Sequence, residues 1–131
     1  MNRIVMLAVV SVALLQVCTP CRAGEVIAHP SVVLSAEEVR ELFMGEKQLA
    51  GRLRLVPVDN GSQQADFLVK VLQMDPTRYT ARWTKKAFRE GLSVPMDKGS
   101  DAEVAAFVRA TPGAVGYVSK ASVGVQTLQR Y

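Results

Sequence analysis

The stretch Ala105 to Val118 reads A-A-F-V-R-A-T-P-G-A-V-G-Y-V, and it contains a helix end, a forced stop and a strand within fourteen residues. Val104, Phe107 and Val108 recur at helical spacing, and Ser100 with Glu103 forms an S-x-x-E capping box that opens the helix. Thr111-Pro112-Gly113 ends it, because proline cannot continue a helix and glycine accepts the turn that follows. Ala114 to Ser119 is then a short apolar run of strand type, with Gly113 and Gly116 serving as turn and close-packing glycines. A helix that must turn back within three residues onto an apolar strand is the repeating unit of layered α/β architecture.

Working outward, Val123 to Leu128 reads as a last strand. Upstream, Asp75-Pro76 supplies an N-cap and a first-turn proline for a helix running to about Arg89. Gln63 to Leu72 carries Phe67, Leu68, Val71 and Leu72 at helical spacing. Arg52 to Val58 alternates as a strand, in which Pro57 disfavours a central place, and Asp59-Asn60-Gly61-Ser62 reads as the turn after it. Ser35 to Gly45 is a helix with a Ser35/Glu38 capping box, a glycine stop, and Val39, Leu42 and Phe43 on one face. Glu25 to His29 is a short first strand ended by Pro30 and Ser31. The order β-α-β-α-α-α-β-β, with no repeat or long linker, predicts one α/β layered domain.

The first 23 residues have a different character. A positive start ending at Arg3, an apolar run from Ile4 to Val17, and small residues at Cys21 and Ala23 have the layout of a secretory signal cleaved after Ala23. A fourteen-residue run in a helix reaches roughly 21 Å, short of a ~30 Å hydrocarbon core, so stable membrane insertion is not expected. The domain organisation is therefore a signal peptide over residues 1–23 and a periplasmic or secreted domain over residues 24–131. Both cysteines, Cys18 and Cys21, fall in the removed segment, which excludes disulfides and cysteine chemistry from the remainder. Cleavage also removes Arg3 and Arg22, leaving 14 cations against 12 carboxylates, a balance that does not point to a nucleic-acid partner.

Three segments carry a family resemblance. Ala105 to Val118 resembles the helix, turn and strand near the end of substrate-binding proteins of phosphate ABC transporters, which have a similar V-x-x-x-P-G-A-I-G-Y-V. Leu34 to Lys47, L-S-A-E-E-V-R-E-L-F-M-G-E-K, is similar to that family's L-S-x-x-x-L-x-x-I-F-x-G-K, and Val56 to Phe67 sits where the family has a strand, a D-G-S-G-T-type loop and a helix opening on an aromatic residue. The resemblance implies a single lobe of the type II periplasmic-binding-protein kind: three layers, with a small mixed sheet flanked by helices. It also implies binding rather than catalysis. The family is two-lobed, and this chain corresponds to the short single-lobe relatives. In the phosphate loop, the family's arginine position falls on Asp59 and its hydroxyl positions on Gln63 and Ala65. A carboxylate there repels an anion by roughly 1 kcal/mol even in water, so Asp59 is expected to keep phosphate out and Asp59→Arg to restore weak binding.

Two candidate sites remain. Asn60, Gly61, Ser62 and Gln63 open a helix whose free N–H groups and dipole could hold a small anion or solute, unless Asn60 or Ser62 merely caps that helix. Arg78, Arg82, Lys85 and Arg89 share one face of the Pro76 helix, suited to docking an envelope or transporter partner, or else simply solvated. Tyr79, Trp83 and Phe88 are read as core. His29 has no second histidine to share a metal with, and no cofactor motif or catalytic set is present, so neither metal, cofactor nor enzymatic activity is expected. The alternative to solute binding is an accessory interaction module that has lost its ligand and docks through the basic helix face.

Overall fold

A computed structural model describes residues 24–131, so the signal-peptide reading and both cysteines lie outside the described residues. The elements are β1 (Glu25–Ala28), α1 (Ala36–Phe43), β2 (Leu49–Ala50), β3 (Leu53–Arg54), β4 (Val56–Asn60), α2 (Gln64–Phe67) continued by a π-helical turn (Leu68–Leu72), α3 (Pro76–Glu90), β5 (Met96–Lys98), α4 (Asp101–Ala110), β6 (Ala114–Val118) and β7 (Gln126–Arg130). Five strands form one mixed sheet in the order β5-β4-β6-β1-β7, and β2 with β3 forms a separate hairpin. β4 runs parallel to both β5 and β6, while β1 is antiparallel to β6 and β7.

Alternation along the inner strands builds three layers. Val26 and Ala28 of β1 and Val115 and Tyr117 of β6 face a core completed by α1, α2 and α3. Ile27, Ala114 and Val118 face the opposite side, where Val104, Ala105 and Val108 of α4 cover them. Gly116 lets α4 approach closely, since a Cβ there would stand 2.6 Å from Val104 Cγ1. This is the expected α/β lobe with a small mixed sheet flanked by helices.

The helix starts follow their capping chemistry. Both halves of the Ser35/Glu38 box form in α1, and Asp75 caps α3, which ends at Gly91 in a left-handed conformation. At α4, Ser100 accepts from Glu103 N–H, but the Glu103 carboxylate accepts from Gly99 rather than closing the box on Ser100.

Several sequence expectations shift. The single strand expected over Arg52 to Val58 is instead a tight hairpin turned at Gly51 (φ 63°), followed by β4, which continues through Asp59 and Asn60. Pro57 does lie in an inner strand, and the register explains why. Val56 N–H donates to the Gly113 carbonyl, so the next nitrogen faces β5, whose pairing begins only at Val58 opposite Met96. β5 itself carries no apolar alternation and was not anticipated, and the last strand is Gln126–Arg130 rather than Val123 to Leu128. Tyr79 and Trp83 are core, at 3% and 4% exposure, but Phe88 is 91% exposed, which corrects its reading as core.

Candidate functional site

The carboxyl ends of three parallel strands, β4, β5 and β6, open on one end of the sheet, the place where open α/β sheets carry ligands. The loop Asn60 to Gln63 lies there, as the sequence implied. Its backbone donors are already engaged. Gly61 N–H donates to the Lys98 carbonyl (2.8 Å) and Gln63 N–H to the Asn60 carbonyl (3.0 Å). Ser62 donates its N–H (3.1 Å) and its hydroxyl (2.6 Å) to Asn60 Oδ1. The Ser62 and Gln63 bonds are contacts within the turn that precedes the helix: the N-cap of α2 is Gln63, which makes no side-chain capping hydrogen bond, and α2 is a single turn.

Asn60, fully buried, is the hinge of this arrangement. Its Nδ2 donates to the Tyr117 carbonyl (3.0 Å) and to Asp101 Oδ1 (2.8 Å). Asp101, the first residue of α4, presents its other oxygen to Ser119, accepting from the backbone N–H (3.1 Å) and from the hydroxyl. The donors that converge at the strand ends therefore close on a carboxylate belonging to the chain itself. Sequence reading missed Asp101 and Ser119. The only local signal at Asp101 is its place inside an acidic first helical turn, and nothing links it to a serine eighteen positions on.

Asp59 faces the other way. It is buried between the sheet and α3, accepting from the Tyr79 hydroxyl on both oxygens (2.9 Å) and from the Tyr117 hydroxyl (2.9 Å). Tyr117 in turn stacks on Phe67 at 3.9 Å, with Phe43 edge-on to both. Asp59 is thus a core residue, not a guard at the loop, and Asp59→Arg would place a guanidinium in the core rather than restore an anion site. Burial pushes its carboxyl up to about 6, against the lowering effect of the Tyr117 and Tyr79 hydroxyls, with the charge of Asp97 adding to the rise. The same burial, and the Asp59 charge, raise both tyrosine hydroxyls so that they remain donors.

A raised acid binds its proton more tightly in the folded state. This contribution to stability is therefore complete below the unfolded value of 3.8 and lost as pH rises through about 6. The rise corresponds to about 3 kcal/mol. We expect the stability of wild type relative to Asp59→Asn, measured by urea unfolding, to fall between pH 4 and pH 7. A pH-independent difference would contradict the burial argument.

On α3, the five basic residues divide. Arg82 is held inward, donating to the Met44 carbonyl (2.7 Å) and pairing with Glu46 (2.7 Å). Lys86 pairs with Glu90 (3.4 Å). Arg78, Lys85 and Arg89 are exposed and make no salt bridge among the described residues. No group of acidic, histidine and cysteine residues suited to a metal occurs among the described residues, and none of their helices is long and apolar enough to cross a membrane.

The fold is a single mixed α/β lobe, with the carboxyl ends of its parallel strands at one end of the sheet. Among solved structures, the chain is similar to an ABC-type phosphate transport receptor from Vibrio cholerae, with TM-score 0.51 and 13% identity over 82% of this chain. The match takes in 46% of that receptor, so this chain corresponds to about half of it. No family model and no curated protein sequence matches the chain.

Proposed function

We propose that this chain is a non-catalytic binding module of the cell envelope, exported by its N-terminal signal, that docks a partner protein through α3 instead of capturing a small anion at the strand ends. The observation that carries this reading is the exposed face of α3. Phe88 stands 91% exposed beside Lys85 and Arg89, on the side of the helix away from buried Tyr79 and Trp83. An aromatic side chain flanked by uncompensated cations is the composition of an interface anchor for an acidic partner. The strand ends support the same choice, because their donors are bonded to Asn60 and Asp101.

A photo-crosslinking residue substituted at Phe88 and activated in intact cells tests the proposal. The expected result is one defined protein adduct that is lost when Lys85 and Arg89 are both changed to Glu. Reversal of two exposed charges should weaken docking by roughly tenfold or more. Absence of an adduct, or one indifferent to the charge reversal, would contradict docking through this face.

A further inference from the structure

At the opposite end of the sheet, where β4 and β5 begin, lies a groove of about 260 Å³. Leu42, Leu55, Pro57 and Trp83 form its floor and walls, with Val94 and Met96 along its mouth. We propose that this groove binds a small amphiphilic acid, with its apolar body against Trp83 and its carboxylate on Arg54.

Three observations lead to that occupant. The lining is predominantly apolar, and Val94 and Met96 remain 54% and 49% exposed at its edge, a pairing of concavity with uncovered apolar surface that marks a ligand groove. The lining residues include two cations, Lys47 and Arg54, and no carboxylate. Lys47 is already paired with Glu38 at 3.3 Å, whereas Arg54 is exposed and makes no salt bridge among the described residues. A guanidinium beside an apolar wall complements a ligand with one carboxylate and an apolar tail. Finally, the volume falls just below the ~300–1,000 Å³ of drug-sized sites, which limits the occupant to a small molecule. The indole N–H of Trp83 is spent on the Phe43 carbonyl (3.0 Å), leaving its ring as an apolar wall.

Trp83 is the chain's sole tryptophan, so its emission reports on this groove directly. Octanoate, titrated well below its micellar concentration, should change that emission saturably. Octanamide, with the same tail and no charge, should bind about tenfold more weakly, and Arg54→Gln should weaken octanoate by a similar factor while leaving the unfolding midpoint unchanged. Val94→Glu, which sets a like charge at the mouth, should weaken octanoate at least as much. Three results would each overturn the proposal: no saturable change, equal binding of acid and amide with no effect of Arg54→Gln, or a concentration-dependent dimer that Val94→Glu dissociates, which would assign the groove to a second copy of the chain. None of these readouts depends on α3 docking, so either reading can fail alone.

Discussion

Trp83→Ala is expected to lower the stability of the domain by about 3 to 5 kcal/mol, a large share of the 5 to 15 kcal/mol that holds an ordinary domain together. The side chain is 4% exposed and, with Tyr79, joins α3 to the core, reaching the end of α1 through its hydrogen bond to the Phe43 carbonyl. Truncation leaves a cavity and removes that donor at once, and the two losses act at one place. Circular dichroism in urea measures the effect without a tryptophan signal. A midpoint unchanged from wild type would show that α3 is not anchored through Trp83.

Gly113→Ala is expected to cost about 3 kcal/mol or more, for reasons of backbone geometry rather than burial. Gly113 has φ 84°, a region that L side chains rarely adopt, and a Cβ there would stand 2.1 Å from the Arg54 carbonyl oxygen. The neighbour is backbone, so relief requires β3 or the start of β6 to move. The same residue accepts the Val56 N–H that sets the β4–β6 register, so the shift would spread into the central parallel pair. An Ala variant with wild-type stability would mean that the β3–β6 approach is looser than described.

How much of this was legible in the sequence follows from which interactions are local. The starts of α1 and α3, at Ser35 and Asp75, were read correctly because a cap is decided within four residues. The strand β6 was visible because Pro112 and Gly113 must end a helix and an apolar run must then be buried. β5 was not, since Met-Asp-Lys at a sheet edge has no alternation to detect, and its pairing with β4 is a long-range event. Phe88 misled for a related reason. An aromatic residue on a helix is usually buried, but the core face of α3 is set by Tyr79 and Trp83, and Phe88 falls on the other side of the helix from them. The segment Asn60 to Gln63 does leave the carboxyl end of β4 and lead into α2, but the bonding of its amides is not a local property. Whether a helix-start N–H is free depends on partners such as Lys98, which comes from a distant strand. Asp59 shows the same limit. Its place in the sequence suggested a turn, and only the fold brings Tyr79 and Tyr117 to its carboxylate.

At the strand ends the amides of Gly61, Ser62, Gln63 and Ser119 are bonded to the chain's own groups, and the proposed docking function takes them to be closed to anions. A titration of the isotope-labelled domain with inorganic phosphate to millimolar concentration, following the amides of Gly61, Ser62, Gln63 and Ser119, tests it most directly. No saturable shift is expected at these four amides, because Lys98, Asn60 and Asp101 already take up their protons. Saturable shifts confined to them would contradict that closure and would show that phosphate displaces the internal carboxylate.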